Sequence, residues 1–226
     1  MTEVCPLQSP ERSATGPSTA DRGGAAVDAS RLSAAHVAEI RRMTRRLVAL
    51  HAETSPADLA DGLAWYDRAQ AAARDMAIGD DVARAAAVIA HLSPRQTWAQ
   101  NVAAAARVLQ AAEAGEDCPA VGITDPRCAI DQRTKAWLAA TGAAAPDANH
   151  GPKTGAFWAN IMGDTGRVCV DSWAARAATG DATVTNVSPA LYRRVEAAYV
   201  AAARIVGLAP RDLQAAVWVH VRGAAD

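Results

Sequence analysis

Apolar residues recur every three or four positions along most of the chain, which is the period of helices with one buried face. Val37, Ile40, Leu47 and Leu50 show this spacing in the first such segment. Strand-like alternation is absent and no segment is repeated, so we predict an all-α protein. The predicted helices run from about residue 30 or 33 to 51, over 56–76 and 80–91, from the Ser93-Pro94 pair to about 114, around 130–142, and over 152–163, 171–179, 189–206 and 210–222.

Serine–proline pairs mark two of the predicted helix starts, at Ser55-Pro56 and Ser93-Pro94. A serine N-cap accepts a hydrogen bond from a free backbone N–H, and proline fits the first helical position. Residues 1–28 are instead rich in Ser, Pro, Gly, Thr and Ala without periodicity, and residues 115–127 contain two glycines and two prolines. We therefore predict a disordered N-terminal tail over 1–28, a helical domain over 29–226, and a loop over 115–127 within that domain.

Composition narrows the class of protein further. Half of the 226 residues are hydrophobic and many of these are alanine, whereas the aromatic residues are six tryptophans, three tyrosines and one phenylalanine. Alanine-rich helices that pack closely are therefore expected. The formal net charge of −1 gives no general attraction to a polyanion, so any contact with nucleic acid must be local.

The four cysteines are scattered, and none has a partner at the spacing of a zinc or iron–sulfur site. The N-terminal residues lack the apolar core of a signal peptide, and no apolar run is long enough to span a membrane. We therefore expect a soluble cytoplasmic protein with no metal and no cofactor, and we take it to be a monomer.

Lys135 and Lys153 are the two lysines among 23 positively charged residues, and the others are arginine. An amine can lose its proton and form a Schiff base with a sugar carbon, whereas a guanidinium cannot. Asp171 follows Lys153 by 18 residues in an apolar Val-Cys-Val-Asp setting, and a carboxylate stabilises a developing sugar cation. The pair could cleave an N-glycosidic bond. A solvated surface lysine and a helix N-cap at Asp171 are the alternatives from local chemistry.

The segment 149–154, Asn-His-Gly-Pro-Lys-Thr, lies between two predicted helices. A short turn with glycine that opens into a helix presents backbone N–H groups to an anion, and the helix dipole adds to the attraction. This arrangement can bind a phosphate without a positive net charge. The alternative is a plain loop that ends at a proline-started helix.

These residues resemble the helix-hairpin-helix DNA glycosylase superfamily, in particular its endonuclease III-like group. In that family a hairpin ending Gly-x-Lys-Thr is followed, 18 residues after the lysine, by the catalytic aspartate in a Val-Asp-x-x-x-x-Arg context. The segments 151–154 and 170–176 show the same residue types at the same spacing. The segment 92–97, Leu-Ser-Pro-Arg-Gln-Thr, is similar to the family's Leu-Ser-x-Gln-x-Thr element, whose polar side chain fills the gap left by a flipped base. Arg95 or Gln96 would be that wedge, and the segment 132–136 is similar to the family's Lys-Ala-bearing helix.

The resemblance implies a helix-hairpin-helix glycosylase-like bundle that binds double-stranded DNA, flips out a damaged or modified base and excises it. A phage-modified pyrimidine is one expected substrate, and phage defence is one expected setting. Asp171 and Lys153 would be catalytic, with AP-lyase activity through a Schiff base on the lysine. The resemblance assigns DNA binding to Asn149, His150, Gly151, Pro152, Thr154, Arg95, Gln96, Lys135 and Arg176. Trp98, Trp158 and Trp173 could stack on the flipped base because of their aromatic side chains, and we take them as the base pocket.

The sequence also departs from the family pattern. Asn149 stands where the hairpin usually has glycine, Trp173 stands where histidine is common, and the iron–sulfur cysteines are absent. These departures concern the substrate and the lyase activity more than the fold. Three alternatives stay open: a transferase that modifies a flipped hypermodified pyrimidine, a non-catalytic helix-hairpin-helix module that only grips DNA, and an alanine-rich helical protein with a chance motif. Each tryptophan could equally be a core residue.

Overall fold

The computed structural model describes residues 33–116, 128–148 and 150–223. Nine α-helices and one short 3-10 turn (Ile78–Asp80) lie in these ranges, and no strand does, so the all-α prediction is confirmed. The predicted tail over 1–28, most of the predicted 115–127 loop and Asn149 lie outside the described residues. The helices are α1 (Ala34–Glu53), α2 (Pro56–Asp75), α3 (Val82–Leu92), α4 (Trp98–Glu113), α5 (Ile130–Ala140), α6 (Pro152–Ile161), α7 (Ser172–Thr179), α8 (Pro189–Val206) and α9 (Pro210–Arg222).

Local signals in the sequence set most of the helix ends. Ser33, Ser55 and Ser188 cap α1, α2 and α8, and each hydroxyl accepts a hydrogen bond from the backbone N–H three residues later. Proline occupies the first turn of α2, α6, α8 and α9, where its missing N–H leaves no bond unmade. α7 and α8 stop at Gly180 and Gly207, whose φ angles of 76° and 75° suit glycine.

The start of α4 differs from the prediction. The Ser93-Pro94 pair predicts a helix start, but α4 begins only after Thr97, which is its N-cap. Thr97 and Gln100 form a reciprocal capping box that satisfies two backbone N–H groups. The prediction is wrong because Arg95 has a φ of 62°, in the left-handed region, where a right-handed helix cannot continue. Residues 93–97 therefore form a separate turn, which we call the 93–97 loop.

Alanine allows the helices to pack with their backbones close together. Residues 85–92 of α3 are all buried, and α3 packs against α4, α5 and α6. A Cβ built on Gly62 in α2 would lie 2.5 Å from the Cα of Ala216 in α9, so these two helices touch backbone to backbone. Two buried clusters result, one centred on α3 and one formed by α1, α7 and α8. Across the three described ranges, no helix is both long and apolar enough to cross a membrane.

Candidate functional site

A cavity of about 720 Å³ lies where the two buried clusters meet. Phe157 and Cys169 from the first cluster and Val170 from the second line its wall. Its size is within the range of ~300–1,000 Å³ that is typical of small-molecule sites. We call it the aromatic cavity because seven of the ten aromatic residues in the chain line it: Trp65, Tyr66, Trp98, Phe157, Trp173, Tyr192 and Trp218.

Trp65 on α2 stands at the centre of the aromatic wall. Its ring centroid lies 4.8 Å from that of Tyr66, 5.2 Å from Trp98, 5.8 Å from Phe157 and 6.2 Å from Trp218. These separations are within the ~4.5–7 Å of interacting ring pairs. Nucleobases stack on aromatic side chains with about 1–3 kcal/mol per base. The wall is therefore suited to a flat aromatic ligand.

Four helices bring their N-terminal ends to the aromatic cavity. Trp98 begins α4, Pro152 begins α6, Ser172 begins α7 and Pro189 begins α8, and all four residues line the cavity. The first backbone N–H groups of a helix have no intrahelical partner and carry the positive end of the helix dipole. The cavity therefore favours an anion, although the whole chain has a net charge of −1.

Asp171 is the N-cap of α7, as the sequence predicts, and its half-buried side chain lines the aromatic cavity. Its Oδ1 accepts a hydrogen bond from the backbone N–H of Ala174 at 2.8 Å. Within the described residues its Oδ2 makes no hydrogen bond. The cap therefore fixes the position of the carboxylate while one oxygen stays available to a ligand.

Lys153 is the second residue of α6 and lines the same cavity. It makes no ion pair in the described ranges, so its amine is more than 4.0 Å from the carboxylate of Asp171. Both charges nevertheless act on Cys169: burial raises the pKa of this thiol to about 12, with Lys153 lowering it and Asp171 raising it. The Cys169 thiol also lies 3.8 Å from the backbone carbonyl of Lys153. The amine and the carboxylate thus share one region of the cavity, where the thiol stays protonated and unreactive.

The 93–97 loop holds its two central side chains in different settings. Arg95 is exposed and has its left-handed φ of 62°, which is uncommon for a residue other than glycine. Gln96 is half-buried, and both polar atoms of its amide are shut off from solvent without a hydrogen-bond partner among the described residues. Both side chains line the aromatic cavity. An exposed charge and an enclosed amide therefore stand side by side at its edge.

The turn ahead of α6 combines an open glycine with a half-buried histidine. Gly151 has a φ of −72°, and a Cβ built on it meets no described atom within 4 Å, so neither backbone conformation nor packing requires glycine there. The ring centroid of His150 lies 4.7 Å from that of His91 and 5.7 Å from that of Trp158. Burial lowers the pKa of His91 to about 4 and also lowers the pKa of His150. The bare backbone at Gly151 leaves room for the close approach of a ligand.

Other residues that the sequence singles out lie away from the aromatic cavity. Trp158 donates its indole N–H to the carbonyl of Ala83 at 3.1 Å and packs against the cluster centred on α3. Lys135 pairs with Asp131 on the outside of α5, with 3.6 Å between Nζ and Oδ2. His150, Gly151 and Thr154 flank the cavity-lining residues Pro152 and Lys153 in the sequence but do not line the cavity themselves.

Two arginine–tryptophan pairs stand beside the cavity. The guanidinium of Arg176 lies 5.2 Å from the ring centroid of Trp173, and its Nε donates to the carbonyl of Val184 at 2.7 Å. The guanidinium of Arg222 lies 4.7 Å from the ring centroid of Trp218. Guanidinium–aromatic stacking holds the charged group in place without neutralising it. The two pairs therefore hold guanidinium groups against the aromatic lining of the cavity.

Trp65, Asn101, Gln214 and Trp218 are among the residues that line the aromatic cavity but that sequence reasoning missed. Asn101 and Gln214 are only 2% and 5% exposed, and Gln214 accepts a hydrogen bond from the hydroxyl of Tyr66 at 3.2 Å. All four sit on helices, where apolar periodicity marks only a buried face. The scarcity of aromatic residues in the chain was the available signal for the two tryptophans.

No curated protein and no solved structure matches this chain. Among the described residues, no group of three or more His, Cys, Asp or Glu side chains is arranged to hold a metal ion. A family model described as a family of unknown function, DUF7178, matches residues 29–225, which is most of the sequence and the whole described region. The chain therefore belongs to the DUF7178 family.

Proposed function

We propose that this protein is a DNA glycosylase that extrudes a base from duplex DNA into the aromatic cavity and releases it. The observation that carries the proposal is the meeting of Lys153 and Asp171, from the starts of two consecutive helices, in one cavity lined by most of the aromatic residues in the chain. An amine and a carboxylate beside a stacking surface are what cleavage of an N-glycosidic bond requires. Enzymes that act on a base within a duplex flip it into such a pocket.

The DNA backbone would dock at the turn before α6. The missing side chain at Gly151 would let a phosphate approach the backbone closely, and the N–H groups in the first turn of α6 would donate hydrogen bonds to it. Arg95, exposed on the 93–97 loop, would enter the space left by the extruded base. The base itself would stack on the aromatic wall around Trp65.

The chemical step would take place between the sugar and the two charged side chains. The amine of Lys153 loses a proton and forms a bond to C1′ while the bond from C1′ to the base nitrogen breaks. The electron pair of the broken bond leaves with the base, which then takes up a proton. Oδ2 of Asp171, which is free of hydrogen bonds in the described chain, stabilises the positive charge that develops on the sugar. Opening of the sugar ring then gives a Schiff base on Lys153.

Incubation with duplexes that carry unmodified, damaged or phage-modified bases, followed by alkali, tests the proposal through the abasic sites that alkali reveals. Asp171→Asn should lower base release by at least about 100-fold, because it removes the negative charge. It should also keep the fold, because asparagine caps a helix as well as aspartate does. Asp75→Asn, on an exposed residue outside the cavity, is the matched control. Full base release by Asp171→Asn would refute the mechanism.

Borohydride trapping tests the role of the amine separately. Lys153→Gln and Lys153→Arg should both abolish the trapped protein–DNA adduct, because neither side chain can form a Schiff base. Lys135→Gln removes the only other lysine in the sequence and should leave the adduct in place. If the adduct survived in Lys153→Arg and disappeared in Lys135→Gln, the reacting amine would be that of Lys135 and the proposed role of Lys153 would be wrong. Mass spectrometry of the nucleosides distinguishes a further possibility. A heavier nucleoside without free base would show that the protein transfers a group to the base and does not excise it.

A further inference from the structure

Three polar atoms at the aromatic cavity are enclosed without any hydrogen-bond partner among the described residues. They are Oε1 and Nε2 of Gln96 and Oδ1 of Asn101. Both residues line the cavity, and Asn101 is only 2% exposed. Buried polar atoms are almost always paired in folded proteins, so unpaired ones need a physical reason. A ligand that completes them is such a reason.

Oε1 and Nε2 of Gln96 and Oδ1 of Asn101 are closed off from solvent, so a ligand in the cavity reaches them only when the two side chains rotate toward it. Since the amide of Gln96 has no bond to lose, a small rotation of its side chain toward the cavity sacrifices no hydrogen bond. Arg95, the preceding residue, has a left-handed φ of 62°, so this loop combines an uncommon backbone conformation with an unpaired amide at adjacent positions. Strain and unpaired groups that a ligand relieves are typical of recognition sites.

The number of unpaired atoms limits the chemistry of that ligand. Two carboxamide oxygens each accept an N–H or O–H, and one carboxamide nitrogen donates to an acceptor. A complete fit therefore needs at least two donors and one acceptor on the ligand. A thymine or uracil ring carries one N–H donor, so it leaves one of the two oxygens unpaired. The exocyclic amine of cytosine carries two N–H donors, and a hydroxyl or amino substituent on thymine or uracil adds a second donor to the ring N–H.

We propose that Gln96 and Asn101 select a flipped base that offers at least two hydrogen-bond donors, and that they discriminate against unmodified thymine and uracil. This inference rests on the proposed function, because it takes a base as the occupant of the cavity. A cavity of about 720 Å³ lined by both carboxamides and by the aromatic wall also has room for a substituent on the ring. The two donors are either both on an exocyclic amine, or one is the ring N–H and the other is on a ring substituent.

Binding measurements on the full chain with Asp171→Asn separate these sources. The probes are duplexes that differ in one base opposite an abasic spacer, so that the cost of extruding the base is similar: thymine, cytosine or 5-hydroxymethyluracil. Fluorescence anisotropy should show cytosine or 5-hydroxymethyluracil bound at least about 10-fold more tightly than thymine. A preference for cytosine identifies the amine, and a preference for 5-hydroxymethyluracil identifies the substituent. Equal affinities for the three duplexes would overturn the inference.

Variants connect the preference to the two side chains. Gln96→Met and Asn101→Leu, each combined with Asp171→Asn, should reduce the preference toward unity, mainly because they weaken the binding of cytosine and 5-hydroxymethyluracil. Gln110→Met makes the first replacement at an exposed position of α4 outside the cavity and should keep the full preference. A preference that survives both cavity variants would contradict the assigned roles.

The two proposals fail in different ways. Base release by the native chain without discrimination against thymine would remove the recognition inference and leave the glycosylase standing. A preference that depends on Gln96, in a protein that releases no base from any of the duplexes, would support recognition and remove excision.

Discussion

Gln96→Met should stabilise the free protein, which is an uncommon result for a substitution at a candidate functional site. In the native chain the amide of Gln96 is enclosed with both polar atoms unpaired among the described residues. An unsatisfied buried polar group costs about 1–3 kcal/mol, and an apolar side chain of similar length removes that cost. We therefore expect the free energy of unfolding to rise by ~1–3 kcal/mol, which corresponds to a melting temperature roughly 2–12 °C higher for a chain of this size.

Urea unfolding checks this magnitude, with circular dichroism as the probe because the change lies near Trp98 and could alter tryptophan fluorescence. The midpoint should shift while the m-value stays constant, since the exposed area on unfolding is unchanged. Gln110→Met, at an exposed position, should stay within about 0.5 kcal/mol of the native chain. A loss of stability in Gln96→Met would mean that the amide has a partner in solution. The argument for a ligand that completes it would then fail.

Three further predictions concern stability and DNA binding. Gly151→Ala should change the free energy of unfolding by less than about 0.5 kcal/mol, because its Cβ meets no atom of the described residues within 4 Å. It should weaken DNA binding in an anisotropy assay, because the same Cβ would obstruct a phosphate. Gly62→Ala should destabilise the fold by several kcal/mol in urea unfolding, because its Cβ would lie 2.5 Å from the Cα of Ala216. Acidification from about pH 6.5 to pH 4 should lower the melting temperature. The pKa of His91 is lowered to about 4 and the pKa of His150 is also lowered, so the unfolded chain takes up protons on these rings at a higher pH than the folded chain does. The resulting loss in the free energy of unfolding is at most ~3 kcal/mol for His91. Constant stability over this pH range would refute the buried, neutral state of the two rings.

The sequence predicts the helices well where the signal is local. The serine caps and first-turn prolines of α2 and α8 act within four residues, so Ser55 and Ser188 mark those starts without knowledge of the fold. Ser93-Pro94 misleads because the same signal is overridden by the left-handed Arg95 and by the stronger capping box at Thr97. A backbone conformation of this kind depends on what surrounds the loop, which periodicity does not encode.

The candidate site is only partly predictable for a similar reason. The scarcity of lysine and the 18-residue spacing single out Lys153 and Asp171 from the sequence. Both line the cavity because they lie at the starts of helices that follow each other closely. Trp65 and Trp218 come from α2 and α9, which are distant in sequence and meet through the contact of Gly62 with Ala216. The prediction that Trp158 belongs to a base pocket rests on residue type alone. Its indole N–H is instead bound to Ala83, away from the cavity, and only the packing of α6 on α3 shows this.

The four helix ends at the aromatic cavity bear on how DNA binding would respond to ionic strength. Backbone dipoles attract phosphates without adding mobile side-chain cations, so few condensed counterions are displaced from the duplex. With about three side-chain cations beside the cavity (Arg95, Lys153 and Arg176), the slope of log K against log salt should be no steeper than about −3. A chain with a net charge of −1 would then find its target by shape and fixed dipoles, and would slide poorly along undamaged DNA.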